Sequence, residues 1–253
     1  MSMRVMALAL FAIASPAWAE VTGSLTTGFD YSTGKYGGTN SADVLYIPVT
    51  GKIEFDNLFF KLTVPYISVT STGTAVIRGI GPIRPTTRTR TTTTTQSGLG
   101  DMIASAGYIY YESDSLMLDV VGNIKFGTAD ANKSLGTGEN DYSAQLDGYY
   151  TVHKTTLFAT AGYKVLGAPA GVTLNNIAYG TLGLSQKTGD NMRAGLMLDA
   201  AQSSSGFYQG TRELTVFIAN KISSTSKIQA YLLKGFSDSS PEYGGGLMLT
   251  GSF

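Results

Sequence analysis

The chain contains no cysteine among its 253 residues. Disulfide scaffolds, thiolate metal centres and an acylated lipoprotein N-terminus are therefore excluded. Histidine occurs once, as His153, which sharply limits histidine-based catalysis. Charge is scarce: 14% of residues are charged, and 18 basic side chains cancel 18 acidic ones. A nucleic-acid binder concentrates basic charge on one face, so that partner class is not expected. Beyond residue 19 no apolar run is long enough to cross a bilayer as a helix. No segment carries a convincing 3.6-residue apolar stripe.

What is present points to β-structure. Glycine (31) and tyrosine (15) are abundant, with many serines and threonines. That mixture suits strands joined by tight turns. The N-terminus reads "MSMRVMALALFAIASPAWAE". Arg4 precedes an apolar stretch too short to span a membrane, and Ala17-Trp18-Ala19 is a small-x-small cleavage site. Residues 1–19 are expected to be a secretory signal peptide, with the mature domain covering 20–253.

The mature part alternates with period two. In "VTGSLTTGFDY", Val21, Leu25, Phe29 and Tyr31 share one parity, with Thr22, Ser24, Thr26 and Asp30 on the other. The length suits a tilted membrane strand. "VLYIPVTGKIEF" and "LFFKLTVPY" repeat the pattern on either side of Asp56-Asn57, a two-residue hairpin turn. "GLGDMIASAGYIYYE" reads as one further strand, and "SLMLDVVGNIKFGT" follows it. Counting on to the closing "EYGGGLMLTGSF" gives about twelve strands, an even number.

Connections alternate in length. Short turns fall at 56–57, 113–114, 153–154, 189–190 and 223–226. Long loops fall at 32–43, 72–98, 129–140, 168–175, 205–211 and 237–242. Short periplasmic turns and long outer loops are the pattern of a membrane barrel. The expectation is an all-β fold, a transmembrane antiparallel up-and-down β-barrel in the outer membrane of a Gram-negative bacterium. A soluble sandwich is the competing fold, but nothing else in the chain would cover so many apolar faces.

On the apolar parity, Phe29, Tyr31, Phe55, Phe60, Tyr66, Phe126 and Phe253 sit near strand ends, where aromatic girdles belong. The opposite parity should line the lumen. Its candidates are Lys61, Asp119, Asn123, Lys125, Asp147, Lys164, Arg193, Asp199 and Glu213, with Lys52, Glu54, Lys221 and, on a strand of ambiguous parity, Asp101. Any single one is first a member of an internal salt-bridge and hydrogen-bond network, because buried charges must be paired. Together they are the candidates for a permeation path. The same parity carries Tyr46, Pro48, Pro65, Ile67, Tyr149, Phe158 and Met197. A partly apolar interior suits a hydrophobic solute, and prolines inside strands mark local breaks in pairing.

The longest loop, "TGTAVIRGIGPIRPTTRTRTTTTTQSG", holds Arg78, Arg84, Arg88 and Arg90, no acid, and a threonine run at 91–95. It could take lipopolysaccharide phosphates, collect anions or fold inward as a plug; low-complexity polar tracts more commonly stay solvated. No Gly-x-Ser-x-Gly occurs. A Ser-His-Asn lipase on a barrel would need His153, which falls on a periplasmic turn. Asp130, Glu139 and Asp141 lie on an outer loop and could bind a cation, but solvated loop acids are commoner. No catalytic, cofactor or metal site is expected. The closing strand must pair with the first to leave no edge, which sets Phe253 at the periplasmic interface as the candidate signal for the barrel assembly machinery.

The stretches "SGLGDMIASAGY", "NIKFGTADANKSLGTGENDYSAQLDGYY", "AGYKVLGAPAGVTLNN" and "LKGFSDSSPEYGGGLMLTGSF" resemble the outer-membrane transporters named for the meta-pathway of phenol degradation. The resemblance runs from about Gly98 to Phe253, and "LGTGENDY" and "GFSDSSPEYGGG" are its most specific parts. It implies a barrel of roughly twelve strands that takes up small aromatic or other hydrophobic compounds. It carries over no catalytic residue. The implied partners are outer-membrane lipid and lipopolysaccharide, the assembly machinery and small hydrophobic solutes.

Overall fold

The computed structural model describes residues 21–72, 93–206 and 208–253. The expected signal peptide, with Ala17 and Ala19, lies outside them, as do Arg78, Arg84, Arg88 and Arg90 of the long loop.

The described chain is strand throughout, apart from turns, loops and one short 3-10 turn at Ala131–Lys133. The strands are β1 (Thr22–Gly34), β2 (Ala42–Phe55), β3 (Leu58–Thr72), β4 (Thr93–Leu99), β5 (Ile103–Glu112), β6 (Leu116–Lys125) and β7 (Asp141–Val152), then β8 (Thr155–Val165), β9 (Ile177–Lys187), β10 (Met192–Ala201), β11 (Thr211–Lys221), β12 (Ser226–Gly235) and β13 (Tyr243–Ser252). All pairings are antiparallel, and β13 returns to β1 from Ser24↔Ser252 to Thr33↔Tyr243. The sheet therefore closes on itself, the arrangement that satisfies backbone polar groups inside a bilayer.

Thirteen strand segments make twelve staves. β4 pairs with Tyr66–Thr72 of β3, and β5 pairs with Leu58–Thr63 of the same strand. They are the two parts of one stave, broken at Gly100, Asp101 and Met102. The single strand read from Gly98 to Glu112 is thus corrected to two pieces. Asp101 turns inward to an ion pair with Lys125. Gly100 packs so tightly that a Cβ would lie 2.5 Å from Ile67 Cδ1. Its N–H donates to Pro65 O at 2.8 Å, and Thr128 Oγ1 accepts the Met102 N–H at 2.9 Å. The end of the threonine run is also strand rather than loop. Thr70 and Thr72 exchange hydroxyl hydrogen bonds with Thr95 (2.9 Å) and Thr93 (3.0 Å), the cross-strand pairing that β-branched hydroxyls favour.

Pro48 and Pro65 face each other across β2 and β3, whose register runs through them unshifted. The interruption falls on the other side of Pro48. The β1–β2 ladder lapses between Thr27↔Val49 and Asp30↔Tyr46, because Pro48 has no N–H to donate. The two-residue turns begin with residues at positive φ, Asp56 (50°) and His153 (55°). Such turns match the twist of the flanking strands. His153 thus serves the backbone of a turn.

The outer face carries exposed Leu25, Phe29, Tyr31, Ile53, Phe60, Leu62, Tyr66, Leu146, Leu182, Leu198, Leu232 and Leu249. The buried residues of the opposite parity are largely polar: Ser24, Thr26, Asp30, Lys52, Asp119, Asp147, Thr156, Lys164, Ser185, Glu213 and Thr215. This is a protein turned inside out, apolar where it meets its surroundings and polar within.

Candidate lumen and its outer plug

The inner wall is built by an aromatic–glycine device. Five inward rings each sit opposite a glycine on the neighbouring strand: Phe59 on Gly107, Phe158 on Gly183, Tyr179 on Gly162, Phe217 on Gly195 and Tyr231 on Gly246. At each glycine an added Cβ would fall between 2.0 and 2.8 Å from a ring atom. The ring therefore lies along the wall over the missing side chain instead of pointing to the barrel axis. Each ring thereby buries apolar area against the wall.

Polar groups hold the same wall. Asp147 accepts from Gln145 Nε2 at 2.7 Å and from the Thr160 hydroxyl. Gln145 Oε1 accepts from Tyr179 Oη at 2.9 Å. Asp119 is the register partner of Asp147, and its Oδ1 has no hydrogen-bond partner among the described residues. Asn123 Nδ2 donates to Ser143 Oγ at 3.3 Å. Arg193 donates to Thr156 Oγ1 (3.3 Å) and Ser185 Oγ (3.2 Å), and Asp199 accepts from Thr181 Oγ1 at 2.6 Å. Glu213 is buried opposite Asp199. Lys52 pairs with Glu54, and Lys52 and Lys61 both lie over the Phe59 ring, 4.9 and 4.8 Å from its centroid. Lys164 lies over Tyr179 at 5.6 Å. Lys61 and Lys164 have no ion pair or hydrogen bond among the described residues.

The outer end is different. The chain from Phe126 to Asn140, between β6 and β7, does not stay outside as an outer loop. It buries Ala129 and Leu135 against Tyr36, Ala42, Val44, Ile67 and Val69, with Tyr46 alongside. Leu135 is 1% exposed. An ion-pair triad anchors this plug: Lys125 Nζ lies 3.0 Å from Asp101 and 3.1 Å from Asp141. Asp101 Oδ1 also accepts the Ala129 N–H at 3.0 Å, and Asp141 Oδ1 the Gly167 N–H at 3.0 Å. Asp141 is therefore a buried wall residue at the start of β7, which corrects its reading as a solvated loop acid. Asp130 accepts the Asn132 N–H at 2.9 Å and caps the short 3-10 turn. Sequence reasoning missed the plug. Its only local trace is the scatter of apolar Phe126, Ala129, Ala131 and Leu135 among glycine and polar residues. Phe253 pairs reciprocally with Gly23, each N–H donating to the other's carbonyl at 2.9 Å, and its ring is 84% exposed.

A closed twelve-stave barrel with an apolar outside and a polar inside defines the chain as an outer-membrane-type β-barrel. It is similar in fold to an outer-membrane channel from Pseudomonas putida F1, with a TM-score of 0.65 at 15% identity over 95% of this chain and 97% of that one. It is also similar to the KdgM porin (TM-score 0.54, 12% identity, 91% and 99% covered). The β domain of the Bordetella autotransporter BrkA is as near in shape (TM-score 0.54, 14% identity, 93% and 100% covered). At these identities the likeness is one of fold. No protein-family model and no curated protein matches the chain.

Proposed function

We propose that the chain is an outer-membrane channel of a Gram-negative bacterium, exported on a cleaved signal peptide, for passive uptake of small hydrophobic or aromatic compounds. The observation that carries this reading is the aromatic–glycine wall, which lines the interior with rings yet keeps them off the axis. Lys61, Asp119, Asn123, Lys125, Asp147, Lys164, Arg193, Asp199 and Glu213 line the solute's path. The resemblance to the phenol meta-pathway transporters supports the same solute class. Lipid and lipopolysaccharide surround the outer face, and the barrel assembly machinery inserts the chain through its closing strand and Phe253.

One observation favours a second reading. The Phe126–Asn140 plug packs into the outer end, as in a barrel whose lumen is occluded and whose outer loops do structural or adhesive work. Planar-bilayer recording on refolded protein, paired with flux of phenol into proteoliposomes, separates the two. Conductance and phenol flux are expected; a barrel silent in both assays overturns the channel reading.

A further inference from the structure

We propose that Lys164 and Tyr179 form a binding subsite for a small aromatic carboxylate, built into the inner wall between β8 and β9. The inference rests on the channel reading and narrows its solute class.

It starts from an unmatched donor. Lys164 is 5% exposed, and no acceptor among the described residues lies within hydrogen-bond or ion-pair distance of its ammonium. Its close neighbour is the Tyr179 ring, 5.6 Å from the nitrogen. A buried ammonium whose three N–H groups go unmet is costly, and an occupant that supplies carboxylate oxygens removes that cost. The wall carboxylates nearby already have partners. Asp147 takes Gln145 and Thr160, and Asp141 takes Lys125 and the Gly167 N–H.

The platform beside the ammonium is rigid. Tyr179 lies across Gly162, where an added Cβ would come 2.3 Å from the ring's Cζ. Its hydroxyl is tied to Gln145 Oε1 at 2.9 Å, and Gln145 is tied to Asp147 at 2.7 Å. The ring face over Gly162 is taken up by the wall, which leaves the opposite face for a ligand. A flat ring stacks on such a face, and a carboxylate on that ring reaches the lysine above it.

Phe59 and Lys61 repeat the arrangement, at 4.8 Å, but the surrounding charge separates the two places. Lys61 faces Lys52 together with three acids, Glu54, Asp119 and Asp147. Its neighbourhood is net negative and repels an anion. Lys164 faces Asp141 and Lys125, and with Asp101, which shares Lys125, two acids are balanced by two lysines. The anion is therefore held at Lys164.

The test is a fluorine NMR titration of 4-fluorobenzoate against the refolded full-length barrel, with neutral 4-fluorobenzamide as the control. Wild type is expected to bind the acid and to prefer it over the amide. Lys164→Met, which keeps the apolar stem, should weaken binding of the acid about tenfold or more, as loss of a charge-assisted hydrogen bond does. Lys164→Arg should retain it. Equal binding to wild type and Lys164→Met, equal binding of acid and amide, or no binding at all overturns the subsite. Bilayer recording of the same samples keeps the two readings apart. A silent barrel that still binds 4-fluorobenzoate through Lys164 removes the channel and leaves the subsite. A conducting barrel whose benzoate permeability ignores Lys164→Met removes the subsite and leaves the channel.

Discussion

Replacing Lys125 by methionine should release the outer plug. Lys125 is 3% exposed and sits between two carboxylates, 3.0 Å from Asp101 and 3.1 Å from Asp141. Removing one partner from a buried ion pair strands the charge that remains, at about 3–5 kcal/mol. Here two carboxylates are stranded, but each keeps a backbone N–H, from Ala129 and from Gly167. The expected loss is therefore near the lower bound, about 3 kcal/mol. Asp101 and Asp141 flank the ends of the Phe126–Asn140 segment, so that segment should open before the barrel does. Two measurements check this. Equilibrium guanidinium unfolding in lipid vesicles reads the stability, and limited trypsin digestion reads cleavage after Lys133, which lies within the plug. The neutral triple variant Lys125→Met with Asp101→Asn and Asp141→Asn should recover most of the loss, because it leaves no charge unpaired. A single variant that loses less than about 1 kcal/mol, or a triple variant no more stable than the single one, would refute the triad as an anchor. So would unchanged cleavage after Lys133.

Three other outcomes are expected. Gly107→Ala places a Cβ 2.0 Å from the Phe59 ring, so it should cost about 1–3 kcal/mol in the same unfolding assay, and adding Phe59→Leu should recover part of it. Leu135→Asp buries a charge in the apolar cluster at the outer end, so the plug should leave it and single-channel conductance should rise; unchanged conductance argues that the plug does not limit the path. Deleting Phe253 removes the reciprocal pair with Gly23, so outer-membrane insertion in cells should fall while export to the periplasm continues. Normal assembly of the shortened chain counts against the recognition role of Phe253 but not against the barrel.

How much was legible beforehand follows from the period of the pattern. Side chains of a strand alternate between faces, so the spacing of Leu25, Phe29 and Tyr31, or of Leu58, Phe60 and Leu62, assigns an outside and an inside with no knowledge of the partner strand. Asp56-Asn57 announces a hairpin for an equally local reason, since only a few residue types turn a chain in two steps. Alternation fails where the backbone departs from period two. Between Ile109 and Tyr111 the β5–β6 register shifts, and Tyr108, Tyr110 and Tyr111 all end up exposed, an arrangement no alternating pattern predicts. The break at Gly100–Met102 is invisible for the same reason: Asp101 leaves the strand to meet Lys125, 24 residues on in the chain.

The sequence by itself determined the fold class, the twelve-stave count, the lipid-facing parity and the pairing of the last strand with the first. These follow from local periodicity and from the need to close every backbone hydrogen bond. Only the tertiary structure decided which glycine lies beneath which ring, that Asp141 belongs to a buried triad, and that Leu135 turns inward. These depend on register across strands and on contacts distant in sequence, such as Tyr36 or Val44 with Leu135. A loop of mixed polarity carries no periodicity from which its direction can be read, and only the apolar surface waiting inside the barrel settled it.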